Sequence, residues 1–385
     1  MQYITLGKEK DKISRLGFGC MRFPTIGGDK MKINEEKATK LLNYAYDNGI
    51  NYYDTAYPYH SNGFDGKGKS EAFLGRFIKD KRDSVYIATK MPSWTITIEN
   101  DLNRIFDDQL KTLQVDYIDY YMLHSLTSSY YKNLKSLNVF DFLERKVAEG
   151  NIRNIGFSFH DTNLVFTDII NDYDWDFCQI QYNFLDTNYQ AGTKGLDLAY
   201  EKNIDVIVME PLRGGKLLAL NDDAKNLFKG LNKDRTIADW AFSWLYTNKK
   251  IALVLSGMTA MDNVVENINI VNASENNPLS DYDYDVIGKV SKIIQNSTRI
   301  DCTACGYCLP CPYGVEIPSC FSCYNNYHLF GDNEGAKKSA VVQYSLRLKE
   351  ESYASNCTDC KLCESHCPQN IEISAELKKI VEIFE

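Results

Sequence analysis

Eight of the twelve cysteines in this 385-residue chain stand in two short runs: Cys302, Cys305, Cys308 and Cys311 before Pro312, and Cys357, Cys360, Cys363 and Cys367 before Pro368. Each run is a triplet at i, i+3 and i+6 closed by Cys-Pro, the thiolate spacing that wraps a [4Fe-4S] cube. Where two such runs occur together, the triplet holds one cube and the Cys before Pro crosses to the other. That rule groups Cys302, Cys305, Cys308 and Cys367 on one cluster, and Cys357, Cys360, Cys363 and Cys311 on the second. The first run departs from the pattern by closing after two residues, where the second closes after three. Zinc is the competing metal, because CxxC pairs also build tetrahedral sites, but those sites use pairs and not triplets. The chemistry implied is one-electron transfer. The remaining thiols, Cys20, Cys178, Cys320 and Cys323, read as buried packing residues, since free Cys behaves as a small hydrophobe.

A second set of candidates is spread along the first half of the chain. Asp54 closes the run Ile50–Asp54, and Tyr59 follows it in Asp-Thr-Ala-Tyr-Pro-Tyr. Lys90 follows Val85–Thr89, and His124 follows Tyr117–Leu123. Taken singly, each has a plain structural role, as a loop cap, a rim aromatic, a solvated lysine and a satisfied histidine. All of them at the ends of successive apolar runs point instead to one site.

The elements that must position these residues follow from periodicity. Short β-branched and aromatic runs recur from residue 16 to about residue 256, separated by amphipathic stretches such as Glu35–Asn48 and Ile98–Leu113. The predicted strands are Leu16–Met21, Ile50–Asp54, Val85–Thr89, Tyr117–Leu123, Arg153–Phe157, Phe177–Gln181, Asp205–Met209 and Ala252–Leu255. Strands alternating with helices require a parallel sheet covered by helices. About eight such units, with no GxGxxG after the first strand, predict a closed (β/α)8 TIM barrel, in the α/β class, rather than an open doubly wound sheet. Gln2–Leu6 and Lys12–Leu16 read as an N-terminal β-hairpin plugging the barrel floor. The domains expected are a barrel over 1–283 and a mostly helical ferredoxin-like domain over 284–385 that includes the helical stretches Tyr284–Gln295 and Gly335–Lys349.

In such a barrel the catalytic groups sit at the C-terminal ends of the strands, where Asp54, Tyr59, Lys90 and His124 fall. At this point the sequence resembles the aldo-keto reductase superfamily, whose Asp-Tyr-Lys-His tetrad matches those four positions. Supporting stretches are Ser70-Glu71 with Leu74-Gly75, Ile155-Gly-Phe-Ser158, Gln179-Ile-Gln181-Tyr-Asn, Glu210-Pro-Leu-Arg-Gly-Gly-Lys216 and Ser256-Gly-Met. The resemblance implies NAD(P)H-dependent reduction of a carbonyl, or oxidation of an alcohol, on a small molecule. Tyr59 would be the general acid. Its phenol, with a pKa of about 10, would be lowered by roughly 1–3 units beside an ammonium, supplied by Lys90 and held by Asp54. His124 would donate a hydrogen bond to the carbonyl oxygen. The resemblance also assigns the nicotinamide carboxamide to Ser158 and Gln181, and the cofactor phosphates to Leu212, Arg213, Gly214, Lys216, Ser256, Gly257 and Met258. The basic residues that NADP-preferring members carry after the eighth strand are missing from Ser256–Asn263, which leaves NAD versus NADP open.

Composition bounds the alternatives. With 44% apolar and 25% charged residues the chain can bury full cores, and its net charge of −9 argues against nucleic acid as a partner. The N-terminus lacks a leader-like apolar stretch, and no run reaches membrane-spanning length. A cytoplasmic protein is expected, in keeping with thiolates that need a reducing compartment. Three functions remain. The first is an aldo-keto reductase-type oxidoreductase whose two clusters transfer electrons to a redox partner protein; because a hydride carries two electrons and a cluster passes one, a flavin would be the usual intermediary. The second is an ordinary NAD(P)H-dependent carbonyl reductase with structural clusters. The third is a non-catalytic electron carrier.

Overall fold

The alternating runs become strands, and most of them close on one another. The structure, a computed structural model, describes residues 1–63, 66–218, 220, 222–231, 233–329 and 334–385. In chain order the strands are β1 (Tyr3–Leu6), β2 (Asp11–Ser14), β3 (Leu16–Gly19), β4 (Thr25–Ile26), β5 (Asp29–Ile33), β6 (Tyr52–Asp54), β7 (Tyr86–Met91), β8 (Ile118–Leu126), β9 (Ile152–Phe159), β10 (Phe177–Gln181), β11 (Asp205–Met209) and β12 (Leu253–Ser256). Eight of them form a closed parallel barrel in the order β3-β6-β7-β8-β9-β10-β11-β12, with β12 pairing back onto β3. This is the predicted (β/α)8 architecture.

Three local differences from the sequence reading matter for the site. β3 ends at Gly19, and Cys20–Arg22 turn away as a short 3-10 helix. β8 runs on to Leu126 with a register shift against β9 between Leu123 and Leu126, so His124 lies within the strand. A second hairpin, β4–β5, turns through Gly27 and Gly28, both at positive φ, which glycine adopts without a Cβ clash.

Residues of a strand alternate between two faces. Tyr52, Ala88, Tyr120, Met122, Phe177, Ile207, Leu253 and Leu255 form the inner core with Leu6 and Ile13 of the first hairpin. That hairpin closes one end of the barrel. The Tyr120 hydroxyl donates to Leu6 O (3.1 Å), the Gly7 amide to Asp205 (2.9 Å), and the Lys8 amide to Asn154 Oδ1 (2.8 Å). Two residues further along from Tyr52, Ala88 and Met122, the same inward face presents Asp54, Lys90 and His124 at the opposite end.

The chain divides into two compact units, Met1–Pro211 with Ala241–Pro278, which contains the barrel, and Leu212–Trp240 with Leu279–Glu385. The second unit is largely helical, with helices Asp222–Lys229, Asp281–Ser297, Ile317–Leu329, Glu334–Arg347 and Ile373–Phe384. Its core joins Ile300, Val315, Phe321, Tyr344, Leu377 and Ile380 with Cys320 and Cys323, both buried. The buried hydroxyl of Tyr344 accepts from the Ala354 amide (2.9 Å) and donates to Glu385 (2.6 Å). Among the described residues, no helix is long and apolar enough to cross a membrane.

Asn154 is the polar pin of the barrel floor, because its Nδ2 also donates to Asp119 O (3.0 Å). Asn154→Ala removes a buried donor from that carbonyl and a part-buried acceptor from the Lys8 amide, and should lower unfolding stability by about 1–3 kcal/mol in urea. A change under about 0.5 kcal/mol would mean that the hairpin does not depend on this residue.

Candidate active site

Lys90 is almost completely buried at this end of the barrel, with 1% of its surface exposed. Its Nζ donates to Asp54 Oδ1 (2.7 Å), Asp54 Oδ2 (2.7 Å) and Thr55 O (2.8 Å). Three acceptors require three N–H bonds, and only the ammonium carries them. Burial raises the Asp54 carboxyl and lowers the Lys90 ammonium, and their mutual attraction opposes both shifts. The pair arises because β6 and β7 are neighbours, with Asp54 paired to Ala88.

Tyr59 and His124 complete the group. The Lys90 ammonium lies 4.9 Å from the centroid of the Tyr59 ring, and that ring meets His124 edge to face at 6.0 Å. Burial, then the Lys90 charge, then His160, hold the His124 imidazole well below its usual pKa, so it is neutral at physiological pH. All four residues predicted from the sequence are buried and adjoin one another.

Several flanking residues had no sequence signal of their own. Trp94, just beyond β7, lies 5.0 Å from His124 and 6.4 Å from Tyr130. His60 accepts the Phe23 amide at Nε2 (3.1 Å), and its Nδ1 donates to Lys30 O (2.9 Å), tying the β4–β5 segment beside Tyr59. The only cue to Trp94 was its position after a strand end; nothing pointed to His60. His60, Ser125, Gln190 and Glu210 all have φ between 52° and 62° without being glycine. Backbone strain of this kind gathers at functional sites.

Behind β7 stands a second buried carboxylate. Glu71 Oε1 accepts from Thr89 (2.6 Å) and Gln109 (2.8 Å), and Gln109 also donates to Lys90 O (3.0 Å). Glu71 Oε2 is buried without a hydrogen-bond partner among the described residues. Burial, opposed by the bonds from Thr89 and Gln109, pushes its carboxyl up to about 7.

The predicted cofactor residues fall on both units. Ser158 Oγ accepts the Ser125 amide (2.7 Å), and Gln181 donates to Asp186 (2.9 Å). Ser256 bonds Asn267 (3.0 Å), and Met258 is buried. Leu212, Arg213 and Gly214 belong to the helical unit, where Arg213 pairs with Asp301 (3.2 Å). The side chain of Lys216 lies outside the described residues. Within the barrel, Arg22 Nη2, Ser125 Oγ and Gln179 Oε1 are buried with no hydrogen-bond partner among the described residues. These atoms give the mouth polar capacity that its described residues leave unused.

The cysteine runs gather in the helical unit. Cys302, Cys305, Cys308 and Cys367 line one pocket walled by Ile317, Phe321, Ile371 and Ile373. Cys311, Cys357 and Cys363 pack against the same apolar core, and Cys360 is exposed. Burial first, then Cys305, Cys302 and Cys367, push the Cys308 thiol up. Among the described residues, no three His, Cys, Asp or Glu side chains converge as ligands of a single metal ion.

Comparison with known proteins bears on both units. Residues 15–292 match the model of the Aldo/keto reductase family, and residues 301–372 match that of a 4Fe-4S dicluster domain. The chain is 29% identical over 167 residues to "Probable aldo-keto reductase 1" of Glycine max, a match spanning 41% of this chain and 45% of that protein. It is 25% identical over 314 residues to L-galactose dehydrogenase of Arabidopsis thaliana, spanning 75% and 93%. Among solved structures, the holo form of an aldo-keto reductase from Bacillus halodurans superposes with a TM-score of 0.60 at 27% identity, covering 75% of this chain and 96% of that one.

The raised carboxyl of Glu71 makes stability depend on pH. The folded chain keeps a proton that the unfolded chain releases between the ordinary value of 4.5 and about 7. Stability should therefore fall as pH rises through that window. Glu71→Gln removes the effect, so its stability relative to wild type should improve by on the order of 2–3 kcal/mol between pH 5 and pH 8. Urea unfolding at the two pH values tests this; an equal difference at both would show that Glu71 is ionised throughout.

Proposed function

The chain belongs to the aldo/keto reductase family, and we propose that it interconverts a carbonyl and an alcohol on a small molecule with a nicotinamide dinucleotide as hydride carrier. The observation that carries this reading is the triple donation of Lys90 to Asp54 and Thr55 beneath the ring of Tyr59. The bound dinucleotide would supply the hydride that adds to the carbonyl carbon. Tyr59 delivers the proton to the oxygen. A phenol of pKa about 10 is a weak donor at neutral pH, and a fixed ammonium beside it stabilises the phenolate left behind. Asp54 keeps that ammonium charged and in place. His124, held neutral, donates its remaining N–H to the carbonyl oxygen, where negative charge develops. Trp94 and Tyr130 beside it exclude water and strengthen these interactions. Ser158 and Gln181 would orient the carboxamide. The stretch from Ser256 to Asn263 contains no Lys or Arg, so it offers no cation to a 2′-phosphate.

For the helical unit the reading is two [4Fe-4S] clusters, one on Cys302, Cys305, Cys308 and Cys367, the other on Cys357, Cys360, Cys363 and Cys311. The shared pocket of the first four thiols supports it. A zinc ion would draw four sulfurs to about 2.3 Å from one point, whereas a cube takes each thiolate on a different iron and leaves them spread. Crowded, buried thiols are poor acids, and metal supplies the charge that makes them thiolates. Since the barrel chemistry needs only the dinucleotide, the clusters serve best as staples of a small helical core. Exposure of Cys360 supports a second reading, in which that cluster exchanges single electrons with a partner protein and a bound flavin converts between those single electrons and the two-electron hydride.

Tyr59→Phe should cut carbonyl turnover by about 10²–10⁴-fold while leaving dinucleotide binding unchanged. Retained turnover would overturn the assignment of Tyr59 as the acid. Separately, Cys305→Ser with Cys360→Ser should lose iron and keep carbonyl turnover if the clusters are staples. Loss of turnover from a variant whose barrel remains folded by circular dichroism would favour the redox reading.

A further inference from the structure

Around the barrel, Asp54, Lys90 and His124 belong to β6, β7 and β8, and Ser158 and Gln181 to β9 and β10. A nicotinamide ring held between those groups has one arc left for the rest of the dinucleotide, the ends of β11, β12 and β3. Arg22 stands there. The chain leaves β3 closely confined, for Gly19 pairs with Asp54, and a Cβ on Gly19 would come within 3.3 Å of Ser256 O. The stem of Arg22 then lies against Gly257, where a Cβ would meet its Cδ at 3.3 Å.

One nitrogen of the guanidinium is poorly matched by the described residues. This Nη2 is 3.5 Å from Glu210 Oε1, longer than the roughly 2.7–2.9 Å of a charge-assisted hydrogen bond. That nitrogen is buried and accepted by no oxygen of the described residues. Glu210, just past β11, sits at φ 55° with its carbonyl accepting from Asn183 (3.0 Å). A planar fork of donors beside a glycine ledge that lets a ligand approach the backbone suits a phosphate group.

We infer that Arg22 is a cofactor-binding residue, its guanidinium holding the diphosphate of the dinucleotide against Gly257 and exchanging its loose contact with Glu210 for the ligand. This rests on the nicotinamide reading above. The diphosphate is common to NADH and NADPH, so Arg22 contributes equally to both.

The test is equilibrium titration of the purified full chain with NADH and with NADPH, followed by protein fluorescence, for wild type, Arg22→Gln and Arg22→Lys. Arg22→Gln should raise Kd about 10- to 50-fold for both dinucleotides and flatten the dependence of Kd on salt. Arg22→Lys, which keeps the charge, should restore part of the affinity and the salt dependence. Kd within twofold of wild type in Arg22→Gln would overturn the inference while the nicotinamide reading stands. Weakening confined to NADPH would overturn it in favour of 2′-phosphate recognition. Wild-type protein that binds neither dinucleotide would overturn the nicotinamide reading and this inference with it.

Discussion

The buried ion pair of Lys90 and Asp54 is the constraint on which the barrel mouth depends. Two charges removed from water cost several kcal/mol each unless their hydrogen bonds are fully met. Here they are met on the lysine side by two carboxylate oxygens and one backbone carbonyl. That arrangement fixes the end of β6 against the end of β7. It explains why Thr55, directly after the strand, turns its carbonyl inward, and why the Lys90 carbonyl is held from behind by Gln109. It also sets the electrostatics of its neighbours, since the same ammonium acts on the Tyr59 ring and helps keep His124 neutral.

The polar network behind β7 shows what the pair costs elsewhere. Glu71, Thr89, Gln109 and Tyr121 are linked by hydrogen bonds in the layer between barrel and helices, where an apolar interface would be the ordinary solution. Gln109 donates to both Glu71 Oε1 and the Lys90 carbonyl, so the register of β7 is specified by directional bonds as well as by packing. Non-glycine residues at positive φ around the mouth belong to the same pattern, in which strained backbone is held by the rigid barrel beneath it.

The helical unit faces the same problem of ionisable groups among apolar ones and meets it differently. Burial raises the Cys308 and Cys367 thiols among its apolar side chains. A small core of this kind gains much from metal ligation, because metal binding free energy becomes folding free energy. The two cysteine sets also differ in setting, one lining an apolar pocket and the other including an exposed thiol. Hydrogen bonding and solvent exposure are the quantities that tune cluster potentials.

The sequence by itself determined the barrel, the residue types of the mouth and the cysteine spacing, because each is written locally. Strand alternation is a period-2 signal, and Phe177–Gln181 and Asp205–Met209 appear with the boundaries their patterns predict. Cys-x-x-Cys triplets and the Asp54, Tyr59, Lys90 and His124 positions are likewise legible one segment at a time. Only the tertiary structure decided what those segments meet. The His60 tie, the Trp94 wall and the placement of Arg22 between Glu210 and Gly257 depend on contacts between residues far apart in the chain. So does the assignment of Leu212–Gly214 to the helical unit, where Arg213 pairs with Asp301 rather than standing as an unpaired loop cation. Spacing encodes which side chains share a face of one element, whereas the neighbour of a charge is fixed only when the barrel closes and brings the ends of distant strands together.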